Sequence, residues 1–176
     1  ETIYYLSQGY TFFKTDSNND FLFNGNNISS KEEFDNYLKR LGYKFKNENH
    51  EFGGYILLKN KKTCLIMDAG PTPNYKYTRD YQSGALSFEI ISAGKKLISN
   101  CGYYKENNSK LNQVSKSSAS QSTLVIDDNS SCKLKKVNNF FLIKDGLKII
   151  KKNTIFEKNY WKISASHDGY LKKYNS

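Results

Sequence analysis

Side chains able to move protons or hold metals are scarce in this chain: two histidines, two arginines and three cysteines among 176 residues. His167 sits in Ser166-His167-Asp168-Gly169, where Asp168 would orient the imidazole if a turn brings the two together. Adjacent strand residues point to opposite faces, and Asp-Gly favours a turn, so the segment reads as a structural corner. His50, followed by Glu51, reads as surface loop. Cys64, Cys101 and Cys132 are odd in number and lie in or beside apolar runs, a pattern of buried free thiols rather than of disulfides. No CxxC pair is present, which excludes a cysteine-rich zinc site. With no GxSxG, phosphate loop or HExxH either, hydrolase and nucleotide-binding readings have no support.

The elements that must position these residues are mostly strands. Short apolar runs rich in Ile, Val, Phe and Tyr are punctuated by Gly, Asn and Asp, as in an antiparallel β-domain. Ten are expected, at 10–14, 20–23, 54–59, 63–68, 85–92, 96–100, 122–127, 140–143, 147–151 and 154–165, with Asp145-Gly146 as a hairpin turn. Leu86, Phe88 and Ile90 alternate with Ser87 and Glu89, which predicts one buried and one polar face, and Trp161 and Ile163 repeat the pattern. One amphipathic helix is expected near the N-terminus. There Ser30 to Glu33 form a capping box, Phe34, Tyr37, Leu38 and Leu41 share a face, and Gly42 is the stop. The polar stretch 103–120 reads as a mobile loop.

The length suits a single domain over residues 1–176. Because the chain starts at Glu1 without Met and ends just after a strand-like segment, it reads as a piece of a longer protein. No stretch reaches the roughly 20 apolar residues of a membrane span. The formal charge of +10 suits an acidic partner, but nearly all of it is lysine. Nucleic-acid readers rely on arginine forks, so no nucleic-acid partner is expected, and part of the charge reads as the codon bias of an AT-rich genome.

Six segments carry a resemblance in order along the chain: 21–42, the apolar strands 52–58 and 64–73, GALSFEIISAGKKLISNCGYY at 84–104, SKSSASQSTLVIDDNSSC at 115–132, and SHDGYLKKY at 166–174. Together they resemble the C-terminal β-domain of bacterial heparinase II/III-like proteins, whose members include lyases of uronic-acid polysaccharides. The resemblance implies an antiparallel β-supersandwich that in complete members follows an α/α-toroid domain, which this chain lacks. It also implies β-elimination, which takes a base, a stabiliser of enolate-like charge and an acid. The implied partners are an acidic polysaccharide and the toroid domain, and the implied compartment is the periplasm or cell envelope.

Family histidines and acids align with Asp80, Gln82, Gly84, Asn100 and Gln121. Neutral amides neither bind zinc well nor act as bases near pH 7, so the family zinc site reads as lost and no cofactor is expected. If the fold is inherited, Gln82, Asn100 and Gln121 converge on one patch, either as donors and acceptors for sugar hydroxyls or as brackets for strand ends. Arg79 beside them is a candidate carboxylate clamp, and Tyr81, Tyr103 and Tyr104 are candidates for stacking or proton donation. Two readings follow, a lyase β-domain and a catalytically silent carbohydrate-binding or structural sandwich.

Overall fold

Branched and aromatic runs separated by tight glycine corners build antiparallel ladders here. A computed structural model describes residues 50–60, 62–104 and 109–174, together with two short strands near the N-terminus and Arg40. Strands β1 (Thr11–Phe13) and β2 (Phe21–Phe23) pair with each other. A five-stranded antiparallel sheet follows in chain order: β3 (His50–Phe52), β4 (Tyr55–Lys59), β5 (Thr63–Asp68), β6 (Phe88–Ser92) and β7 (Lys95–Ile98). Two hairpins complete the strands, β8 (Lys133–Val137) with β9 (Phe140–Asp145), and β10 (Ile149–Phe156) with β11 (Trp161–His167). The β6–β7 turn is Ala93-Gly94, both at positive φ (48° and 75°), the geometry of a two-residue primed turn.

The central strands of the five-stranded sheet carry buried residues on both faces. Ile56 and Leu58 pack with Leu65, Met67 and Leu86 against Trp161 and Ile163 of the β10–β11 hairpin. Leu57, Cys64, Ile66 and Ile91 form a separate cluster with Tyr55, on the opposite side of the pleat. A third cluster, Ala85, Cys132, Ile143 and Leu147, is closed by Tyr81, Leu134 and Ile149. The chain is thus a mainly β, antiparallel sandwich. No helix among the described residues is long and apolar enough to cross a membrane.

Several expectations change. The amphipathic helix over 30–42 lies outside the described residues except for Arg40, which is helical. In β6 the anticipated polar face is the deeper one, with Ser87 and Glu89 almost wholly buried. A carboxylate tolerates this position because Lys96 pairs with it at 2.9 Å and the Asn100 N–H donates to it at 3.1 Å. Asp145-Gly146 is not a hairpin turn, since β9 pairs back to β8 and β10 pairs forward to β11. Glycine is needed at 146 because a Cβ there would stand 2.7 Å from Thr72 Cβ. His50 lies in a strand, and Cys101 is exposed while Cys64 and Cys132 are buried, all three as free thiols. Residues 122–127 make only the isolated bridge Ile126–Asn129. Strands β3 and β8 were not expected, and the break between the last two strands falls at 157–160.

The largest change is in the polar stretch. Of 103–120, residues 109–120 hold a short helix, α1 (Lys110–Ser115), and a 3-10 turn at Ser118–Ser120. Ser109 caps the helix, its Oγ accepting the Asn112 N–H at 3.0 Å. Serine hydroxyls anchor the rest of the stretch. Ser118 Oγ donates to Ser83 O at 2.6 Å and accepts the Ser131 N–H at 3.0 Å, while Ser120 Oγ donates to Val114 O at 2.7 Å. A last single turn, α2 (Leu171–Tyr174), ends the described chain.

Candidate functional site

The anchored segment 115–123 runs between the corner 79–85 and the end of the five-stranded sheet, which brings the distant amides together. Gln121 Nε2 donates to Gln82 Oε1 at 3.0 Å and to Ser115 O at 3.0 Å. Both glutamines are buried, and Gln121 Oε1 has no hydrogen-bond partner among the described residues. Asn100, also buried, holds the next residue: its Oδ1 accepts the Ser122 N–H at 2.8 Å and the Ser122 hydroxyl at 2.9 Å. The Phe88 N–H donates to the same hydroxyl at 2.9 Å. The three amides therefore meet along one segment, each engaged with protein groups.

A second cluster forms around Asp80 and Lys116. Tyr103 donates to Asp80 Oδ1 at 2.9 Å, and its hydroxyl is pushed up to about 12 by burial and by the neighbouring carboxylate. Lys116, 1% exposed, donates to Phe141 O at 2.8 Å and also to the Arg79 carbonyl. Its ammonium lies 5.8 Å from the Tyr103 ring centre. Burial lowers this lysine to about 8, against the opposing pull of Asp80. Nothing in the pattern of apolar residues marks Lys116, which belongs to a run of serines. Arg79 lays its exposed guanidinium over Phe140, 4.1 Å from the ring centre. Tyr81 does not join the patch. It packs in the third core cluster with its hydroxyl buried and unpartnered among the described residues. Tyr104 is partly exposed and is tied by its backbone to α1, where Asn112 Nδ2 donates to its carbonyl at 2.6 Å.

His167 occupies a third location. Its Nδ1 accepts the Gly169 N–H at 3.0 Å, while Asp168 Oδ1 accepts the Lys148 N–H at 2.6 Å. Asp168 thus closes the turn rather than orienting the imidazole. An Nδ1 that accepts a hydrogen bond leaves the proton of a neutral imidazole on Nε2, and burial lowers the pKa, so His167 is a neutral donor near pH 7. It lines an open cleft of about 870 Å³ together with Gln121, Ser122 and Thr123, over apolar Met67 and Phe88, a size ordinary for a ligand site. Leu86, on the same wall, holds a φ of 58°, a strained conformation for a residue with a Cβ.

The sequence model of the heparinase II/III-like C-terminal family matches residues 48–176. The chain belongs to this heparinase II/III-like family. No curated protein and no solved structure matches it. The family zinc does not fit the residues at the aligned positions. Gln82 and Gln121 are amides bonded to one another, Gly84 has no side chain, and Asp80 accepts from Tyr103. A zinc site takes thiolate, imidazole or carboxylate ligands in a tetrahedron, and of the five aligned positions only Asp80 carries such a group. The Tyr103 phenol and the Lys116 ammonium are donors already committed to protein groups, whereas the His167 imidazole lines the cleft.

Proposed function

We propose that this chain is the substrate-holding β-domain of a lyase that cleaves uronic-acid-containing acidic polysaccharide by β-elimination, the abstracting base coming from the toroid domain of the same protein. The observation that carries the reading is the cleft beside Gln121 in a domain of this family, lined by His167, whose Nδ1 accepts the Gly169 N–H and whose Nε2–H is left to donate. Elimination builds negative charge on the uronate carboxylate, and fixed donors stabilise such charge. His167, with its Nδ1 engaged by the Gly169 N–H, does not supply the base in this reading. The mutual bond of Gln82 and Gln121 favours a second reading, a catalytically silent carbohydrate-binding or structural sandwich. Full-length protein incubated with heparin, chondroitin sulfate and alginate separates the two. Growth of unsaturated-uronate absorbance on one of them supports the lyase. Retention on immobilised polysaccharide without absorbance supports the silent binder, and neither result on any polymer overturns both sugar-binding readings.

A further inference from the structure

Beyond the turn that holds His167, a second hollow of about 480 Å³ opens between 129–133, Asp145-Gly146 and 168–173. Lys133, Lys172 and Lys173 stand on its wall. The ammonium groups of Lys133 and Lys172 make no hydrogen bond or ion pair among the described residues, and that of Lys173 lies 5.8 Å from the Tyr174 ring centre. Two carboxylates share the wall and offset part of this charge. Asp168 has Oδ1 committed to the Lys148 N–H, and Asp145 faces Lys133 across the β8–β9 ladder. Three ammonium groups against two carboxylates leave a net positive charge, with Lys172 and Lys173 side by side on the single turn α2, at the mouth of a concave site, where low-dielectric walls focus the field on an anion. Tyr170 belongs to the wall of this hollow and to that of the 870 Å³ cleft. It is fixed in place by its hydroxyl, which donates to Leu124 O at 2.9 Å. The two concavities are therefore neighbours across one ring.

We propose that this hollow is an anion subsite, taking the carboxylate or sulfate of an acidic saccharide whose neighbouring ring lies in the cleft. The proposal rests on the reading that the protein handles acidic polysaccharide, yet the two fail separately. The test is calorimetric titration of the full chain with a sulfated uronate oligosaccharide, an unsulfated oligouronate and a neutral oligosaccharide. Lys172→Ala/Lys173→Ala is compared with Lys158→Ala/Lys162→Ala, which removes equal charge at the far end of the β10–β11 hairpin. The pocket pair should weaken binding of the anionic oligosaccharides by about tenfold, the worth of two partly exposed ion pairs. The remote pair should have less than about a twofold effect, as expected of screened charges. A loss confined to the sulfated ligand assigns the subsite to sulfate, and a loss with both assigns it to any anion. Equal loss in the two double variants, no loss in either, or no binding of anionic ligands by the parent chain overturns the proposal. Pocket-dependent binding by a protein that generates no unsaturated uronate would sink the lyase reading and leave the subsite standing. Cleavage whose KM ignores Lys172 and Lys173 would do the reverse.

Discussion

Replacing Lys116 by methionine should change how the fold responds to alkali. The ammonium is held between the carbonyls of Arg79 and Phe141, and burial lowers its pKa from 10.5 to about 8. In the unfolded chain the same amine stays charged up to 10.5. Between those values the unfolded state binds more protons than the native one, so this residue makes stability rise with pH, and the gain fades as pH falls through about 8. A gap of 10.5 to about 8, at about 1.4 kcal/mol per pH unit, sets a ceiling of about 3 kcal/mol. The neutral amine keeps two N–H donors for the two carbonyls, so neither bond is lost on deprotonation. Other groups act in the opposite sense. The Cys132 thiol and the Tyr103 phenol are both pushed up by burial, ionise first in the unfolded chain, and weaken the fold as pH rises. They are common to both proteins, so the difference between parent and Lys116→Met isolates the lysine. Urea unfolding across this range should show the parent gaining about 1.5 to 3 kcal/mol on the variant. A difference that stays flat, or that falls with pH, would refute the placement of Lys116 as a buried cation.

Four further outcomes are expected. Gln121→Ala removes two 3.0 Å hydrogen bonds and should cost about 1 to 3 kcal/mol in chemical denaturation. Gln121→Glu turns an acceptor toward Gln82 Oε1 and Ser115 O, which raises the new carboxyl's pKa in the native state. Its stability should therefore be worst at neutral pH and recover on acidification, and a deficit independent of pH would contradict the geometry. Ala93→Asn, at a φ of 48° before Gly94, should stabilise the β6–β7 turn by about 0.5 kcal/mol, because Asn tolerates the left-handed region better than Ala, and thermal melts would register any loss instead. Protein purified without chelator should carry well under one zinc per chain by elemental analysis, since the aligned amides are poor ligands; stoichiometric metal would overturn the argument from the donor set.

The legible part of this fold was written in local pattern. Strand β5 falls on the residues that its apolar run predicts, Thr63–Asp68, and Trp161 and Ile163 pack inward together as their alternation requires. The phase of β6 was not legible, because alternation identifies the polar face only when that face meets water, and here Glu89 is covered and paired by Lys96. Asp145-Gly146 misled for a related reason: its glycine answers to Thr72, far away in sequence, not to a local turn. The contact between Gln82 and Gln121 follows from inherited topology rather than from their chemistry. Lys116 left no trace at all, since a lysine amid serines looks solvated until two distant carbonyls are seen to close on it.

The way in which 115–123 is fastened has a thermal consequence. Its anchors are hydroxyl and amide contacts from Ser118, Ser120, Gln121 and Ser122, and its sequence SKSSASQST holds no apolar side chain larger than that of Ala119. Local release of such a segment exposes mainly polar surface, which carries a small or negative heat-capacity increment, whereas opening the clusters around Ile56 or Leu57 exposes hydrocarbon with a large positive one. On cooling, the apolar contribution of the sheet weakens while the polar seam keeps or gains its hold. Amide hydrogen exchange at Ser118, Gln121 and Ser122 should accordingly slow faster toward low temperature than exchange in β4 and β5, making the wall of the cleft the part of the domain that cold tightens most.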